Sequence, residues 1–279
     1  MKLPFNVDLS DKVAAITGGG GVLMSEFAKA LAACGAKIAL LDINEAAAAE
    51  AAESINSQGG SAIAVKCNCL EKESIICAKQ VINEKFGTVN LLSNGAGGNN
   101  PKGTTDIETM TKEAKGKTFF DLSSDGIKFV FDLNVLSAFL VTQVFAEDMV
   151  GRGGGNIINI SSMNAFRPLT KIPAYSAAKA GVSNFTQWLA VHFAPCNIRV
   201  NAIAPGFFVT NQNRSLLFND KGEATDRTKK ILAHTPQNRF GEIDDLAGTL
   251  LWLASDSASG FVTGVIIPVD GGFSAYSGV

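Results

Sequence analysis

The sequence predicts a single α/β domain over residues 1–279: a Rossmann-type, doubly wound, mostly parallel sheet of seven strands with helices on both faces. Three observations predict it. Short β-branched runs alternate with longer helical stretches along the whole chain. Several of these runs are apolar throughout, as central parallel strands covered on both faces must be. A glycine-rich turn joins the first strand to the first helix, where such a sheet receives phosphate.

The elements follow in order. "KVAAIT" (12–17) reads as a strand and "SEFAKALAACG" (25–35) as a helix. "KIALLD" (37–42) precedes the alanine-rich helix 44–59, and "SAIAVKCN" (61–68) precedes the helix 70–87. "VNLLSNGAG" (89–97) opens a long irregular stretch, 98–122. Residues 125–151 read as one long helix, "NIINIS" (156–161) as a strand and 174–194 as a helix. "IRVNAIAPG" (198–206) is a strand, followed by a second irregular stretch, 207–240. A helix at 244–255 and a strand in "VIIPVDGG" (265–272) complete the pattern. Long irregular segments in a compact domain are commonly lids or binding loops, and both stretches are expected to be so.

Composition narrows the function classes. Hydrophobic residues make up 46% of the chain and charged residues 18%, enough apolar material for a sizeable core. The formal net charge of −2 and the lack of a basic block point away from nucleic acid. No apolar run of about 18 residues is evident, so no membrane span is expected. The N-terminal stretch has no apolar segment followed by a cleavage site, and the protein is read as cytoplasmic. Five cysteines without a secretory signal do not suggest a disulfide framework. Cys67 and Cys69 share one face of a strand and read as buried small hydrophobes, with no metal site expected.

The turn "TGGGGVLM" (17–24) sits where helix N–H groups can meet a pyrophosphate. Asp42, at the end of the second strand, can accept hydrogen bonds from the adenosine ribose and would repel a 2′-phosphate. No Arg or Lys lies at 18–24 or 43–45, so NAD is favoured over NADP. Tyr175 and Lys179 are four apart on a helix and share a face. Ser162 ends a strand thirteen residues before Tyr175, and Asn134 lies within "FDLNVLSAF". A neighbouring ammonium favours phenolate, so Lys179 is expected to lower the pKa of Tyr175. His192 and His234 stand outside this set, and His192 reads as structural or solvated.

With these motifs the chain resembles the short-chain dehydrogenase/reductase family from Lys12 to Gly272. The resemblance implies a catalytic set of Asn134, Ser162, Tyr175 and Lys179, with Tyr175 as general acid/base. It implies NAD contacts at Gly18, Gly20, Gly21, Val22 and Leu23, at Asp42, Asn68 and Cys69, and at Asn94, Gly95, Ala96 and Gly97. Further contacts are implied from Tyr175 and Lys179, and from Pro205, Gly206, Phe208 and Thr210 at the nicotinamide. The family has glycines at the places of Val22 and Met24, and sliding the register by one rescues Gly21 but leaves Leu23 in the last position. Asn68 stands where the family usually has Asp.

Within the family the chain resembles the fructuronate reductases, also called D-mannonate oxidoreductases. "TGGGGVL", "AGGNNPKGTT", "APGFFVTNQNR" and "VDGGFSAYSGV" carry that likeness. A sugar-acid substrate would suit Asn99, Asn100, Asn164, Gln212 and Asn213 for hydroxyls, and Arg167 or Arg214 for a carboxylate. A gluconate- or sorbitol-type dehydrogenase and a catalytically silent NAD-binding regulator are the alternatives. Apolar helices at 127–150 and 175–194, with the resemblance, lead to an expected homotetramer.

Overall fold

The computed structural model describes residues 7–209, 214–219 and 221–278. The expectations placed on Thr210, Gln212 and Asn213 fall outside these residues. The sheet has seven parallel strands: β1 (Val13–Thr17), β2 (Lys37–Asp42), β3 (Ser61–Lys66), β4 (Leu91–Asn94), β5 (Gly155–Ile160), β6 (Ile198–Pro205) and β7 (Ile266–Val269). Their order across the sheet is β3-β2-β1-β4-β5-β6-β7. The order reverses between β1 and β4, where Thr17 pairs with Asn94. A crevice at such a switch point lies at the carboxyl ends of the strands, the usual ligand site of an open α/β sheet.

The apolar strands are central, as their composition requires: every residue of β1 and of β6 is buried. Helices α1 (Val22–Ala33), α2 (Glu45–Ser57) and α3 (Lys72–Phe86) connect the first four strands. A long helical stretch carries α4 (Ser124–Phe131) and α5 (Ser137–Arg152), and α6 (Pro173–Phe193) follows β5. Short helices α7 (Arg214–Leu217) and α8 (Asp226–Ala233) lie in the second irregular stretch, with α9 (Asp244–Ala254) and α10 (Asp256–Ser259) before β7. One core layer joins α1, α2 and α9 to the sheet, around Phe27, Leu31, Ile55 and Leu250. The opposite layer joins α3, α5 and α6, around Ile75, Phe145, Met149 and Leu189.

Two expectations are corrected. Helix α1 starts at Val22, not 25, because Gly21 serves as N-cap and the glycine run ends there. The long helix is not uniform: Asp132–Leu136 is a π turn. Within it Asn134 Nδ2 donates to the Val130 carbonyl at 2.8 Å, one turn back, competing with the backbone for that acceptor. The stretch Ser124–Arg152 also has the length and a mean hydropathy of 1.7 over 18 residues that a span requires. Half of that window is buried inside the fold, on the layer against α3 and α6.

The two irregular stretches meet. Lys230 of α8 pairs with Glu108 at 3.1 Å, and Thr105 N ties the first stretch to the Lys171 carbonyl, just before α6, at 2.8 Å. The second stretch is pinned at both ends by a bridge between Phe208 and Gly241.

Candidate active site

The loop after β1 makes its turn at Gly18, whose φ of +68° few other residues adopt. Gly21 N closes the turn on the Gly18 carbonyl at 2.9 Å. The first residues of α1, Val22, Leu23 and Met24, then face a cleft of about 710 Å³. Gly21 caps α1 without a side-chain hydrogen bond, so the N–H groups of its first turn stand ready for an anion.

Asp42 is tied to this loop. Its Oδ2 accepts from Gly20 N at 3.0 Å and its Oδ1 from Asn44 N at 2.9 Å. Asn44, not Asp42, caps α2, accepting from Ala47 N at 3.3 Å. The carboxylate therefore sits at the cleft with lone pairs to spare for hydroxyl donors. Asn68 and Cys69 line the same end. The Asn68 amide is already engaged, donating to Glu71 at 2.8 Å and accepting from Leu70 N at 3.1 Å.

Across the switch point, Thr17 Oγ1 accepts from Gly95 N at 3.0 Å and Ala96 N at 3.1 Å. Gly95, Ala96 and Gly97 line the cleft. Asn94 faces the interior instead and stitches the layers, donating to Thr142 at 3.0 Å and Asn159 at 2.8 Å. At the far end the cleft is lined by Pro205, Gly206 and Phe208.

Ser162, Tyr175 and Lys179 all line this cleft, brought together by the end of β5 and the first turns of α6. Ser162 Oγ accepts from Asn164 N at 3.2 Å, which leaves its hydrogen to be donated elsewhere. Lys179 is buried, donates from Nζ to the Ile160 carbonyl at 2.8 Å, and lies 5.7 Å from the centre of the Tyr175 ring. Burial pushes its pKa down to about 8. Asn134 grips the Gly98 backbone from both sides: Nδ2 donates to its carbonyl at 2.7 Å and Oδ1 accepts from its N–H at 3.2 Å. A Cβ at Gly97 would lie 2.6 Å from Asn134 Oδ1 and 3.2 Å from Lys179 Nζ, so both groups bear on that glycine.

The expected lowering of the Tyr175 pKa is overturned. Burial raises it above its ordinary value, and a hydrogen bond with Ser162 only partly offsets this. The Lys179 Nζ lies 5.7 Å from the ring centre, and the pKa of the ammonium is itself held low by burial.

The proposed substrate residues are scattered. Asn99 is exposed and donates to Thr104 at 3.0 Å. Asn100 caps the short turn Pro101–Gly103 through Lys102 N at 2.8 Å. Asn164 is buried beside Ser162, and its Oδ1 has no hydrogen-bond partner. Arg167 is exposed and donates from Nε to the Ser274 carbonyl at 3.1 Å. Arg214 lies over the Phe218 ring in a neighbouring groove that shares Ile243 with the main cleft. Sequence reasoning missed the cleft's apolar wall of Met24, Ile43, Phe129, Leu133, Phe207 and Ile243. The four-residue spacing of Phe129 and Leu133, just before Asn134, was the available sign. Among the described residues no cluster of His, Cys, Asp or Glu suits a metal, and Cys67 and Cys69 are buried free thiols.

Comparison with known proteins agrees with this geometry. The family profile described as enoyl-(acyl carrier protein) reductase matches residues 25–274. An uncharacterized oxidoreductase of Haemophilus influenzae is 58% identical, covering 100% of this chain and 99% of its own. A solved structure from Haemophilus influenza, provisionally named a D-mannonate oxidoreductase and holding bound NAD, is 59% identical. It covers 98% of this chain and 99% of its own, with a TM-score of 0.95. A gluconate 5-dehydrogenase from Burkholderia cenocepacia, in complex with NADP and tartrate, is 29% identical, covering 97% and 98%, with a TM-score of 0.83. The chain is an oxidoreductase of the short-chain dehydrogenase/reductase family.

Proposed function

We propose that the protein is an NAD(H)-dependent oxidoreductase that interconverts D-fructuronate and D-mannonate. The observation that carries the substrate is the likeness, over nearly the whole chain, to the NAD-bound structure provisionally named a D-mannonate oxidoreductase. The cleft fits that cofactor. The first turn of α1 offers N–H groups to a pyrophosphate from Val22 and Leu23, beside Gly18 and Gly21. Asp42 offers its carboxylate to ribose hydroxyls and opposes a 2′-phosphate. Asn68 and Cys69 border the adenine end, and Pro205, Gly206 and Phe208 the nicotinamide end.

The bound nicotinamide supplies or accepts the hydride at the substrate carbon. Tyr175, held protonated by its burial, donates the proton that turns the ketone oxygen into a hydroxyl. Ser162, whose oxygen already accepts the Asn164 amide, donates toward the same oxygen as charge develops there. Lys179 places a positive charge beneath the Tyr175 ring, and Asn134 fixes the Gly97–Gly98 wall. A gluconate-type dehydrogenase is the second reading, favoured by the Burkholderia cenocepacia structure.

The test is NADH oxidation with D-fructuronate, 5-keto-D-gluconate and a neutral ketose. D-fructuronate is expected to give the highest kcat/KM. Absence of turnover with both D-fructuronate and D-mannonate would overturn the substrate assignment, and preference for the keto-gluconate would select the second reading. Tyr175→Phe should still bind NADH yet lose nearly all turnover. Retention of more than about a tenth of the rate, a barrier change below ~1.4 kcal/mol, would remove Tyr175 from its role.

A further inference from the structure

The glycine loop departs from its family at Met24, and the fold shows where that bulk goes. Met24 lies in the first turn of α1, lines the cleft and is only 3% exposed. Its side chain is pressed onto Gly95, the first residue after β4. A Cβ built on Gly95 would overlap the thioether, with Met24 Cγ and Cε each 2.5 Å away. Three consecutive side-chain atoms are involved, so no turn of the terminal methyl alone relieves the overlap. Met24 also packs into the core.

The opposite side of the same loop is fixed from β1. Thr17 Oγ1 holds Gly95 N and Ala96 N, and a Cβ on Gly18 would lie 3.1 Å from Ala96 N and 3.1 Å from Gly95 O. Gly95 and Ala96 are thus clasped between the β1 turn and the first turn of α1. Both surfaces of that clasp line the cleft.

We propose that Met24 and Gly95 form a size-matched pair, with Met24 a cofactor-positioning residue. Its side chain sets the spacing between the phosphate-binding turn of α1 and the β4 loop. Glycine at 95 is what admits it. The proposal rests on the reading that this cleft binds NAD(H).

The test is a double-mutant cycle read by NADH fluorescence binding, by unfolding midpoints without cofactor, and by steady-state kinetics. Met24→Ala, which leaves the spacing unsupported, should raise the NADH Kd and KM about tenfold, ~1.4 kcal/mol, while kcat at saturation changes less than twofold. Met24→Leu, which restores the bulk, should return Kd to within threefold of wild type. Gly95→Ala should weaken NADH binding at least tenfold in the wild-type background, but less than threefold when added to Met24→Ala. If Gly95→Ala alone does not fold while the double variant does, the rescue itself supports the pair. Equal effects of Gly95→Ala in both backgrounds would overturn it. So would an unchanged Kd in Met24→Ala, or a lowered unfolding midpoint with no change in Kd. Failure of the wild type to bind NADH would overturn the cofactor reading as well, which separates the two failures.

Discussion

Lys179 Nζ lies 5.7 Å from the centre of the Tyr175 ring and donates its hydrogen bond to the Ile160 carbonyl instead. Burial acts on the two groups in opposite directions, raising the pKa of the phenol and lowering that of the ammonium. Both shifts favour the uncharged form. In the ligand-free cleft the lysine therefore gives up its charge first as pH rises.

That order predicts a pH signature. The folded-state pKa of Lys179, about 8, lies below its ordinary 10.5, so the unfolded chain binds more protons between those values. Stability rises with pH in that window: the burial cost is complete below pH 8 and gone above about 10.5. Lys179→Met should therefore stabilise the fold at pH 7 by roughly 1–3 kcal/mol, a gain that disappears by pH 10.5. Urea unfolding of both proteins at pH 7 and 10.5 measures it, and a pH-independent difference would refute it. In reduction assays, kcat/KM should fall above about pH 8 in the wild type, and Lys179→Met should lack that limb.

Asp42 predicts cofactor choice. Its carboxylate is held at the cleft by Gly20 N and Asn44 N, where a 2′-phosphate would meet a like charge. NADH should be much preferred to NADPH, and Asp42→Ala should weaken NADH binding and narrow the preference. Because Gly20 N loses its acceptor, some loss of stability should accompany the change. Equal turnover of the two cofactors by the wild type would contradict this.

The fold was legible because its strands are apolar on both faces, which few other architectures tolerate. The residues gathered around Tyr175 were legible for a related reason: Tyr175 and Lys179 share a helix face, and Ser162 follows two residues after the end of β5. What spacing could not reveal was direction. Asn94 and Asn100 carry the right chemistry, but one turns into the core and the other caps a turn, because buried side-chain acceptors claimed the amide of Asn94 and a turn N–H that of Asn100. The π turn was hidden because nothing in the apolar spacing of the long helix marks it; Asn134, which lies within it, bonds the Val130 carbonyl through its side chain. Nor does helical periodicity disclose which apolar residues face a ligand rather than the core, so Met24 and Phe129 went unassigned.

The helices flanking the cleft predict assembly. Phe131, Leu136 and Phe139 on the long helical stretch, with Trp188 and Val191 on α6, remain exposed, Val191 at 79%. Apolar side chains of this size on neighbouring helices suit an isologous interface. The protein should be a homotetramer, and Val191→Asp with Trp188→Asp should lower its mass. Light scattering that gives a monomer mass at micromolar concentration would refute it.

The arginines predict where a substrate carboxylate is read. Arg167 follows Ser162 closely and uses only Nε on the Ser274 carbonyl, so its terminal N–H groups remain for a forked pair with a carboxylate. Arg214 is anchored over Phe218 in the adjoining groove, which shares Ile243 with the cleft. Neither arginine lines the cleft itself, and nearness to Ser162 with its uncommitted terminal N–H groups ranks Arg167 first. Arg167→Ala should raise KM for D-fructuronate with a loss of roughly 2–3 kcal/mol in kcat/KM, the range of a charged hydrogen bond. A neutral ketose, which has no carboxylate to pair, should be little affected. Arg214→Ala should change both substrates by less than threefold. Arg167 also ties the Ser162 turn to the C-terminal segment, so a purely structural loss must be distinguished. It would lower kcat equally on acid and neutral substrates, whereas a carboxylate contact separates them. Equal losses on the two substrates would remove Arg167 from the recognition role, and a selective loss in Arg214→Ala alone would transfer that role to Arg214.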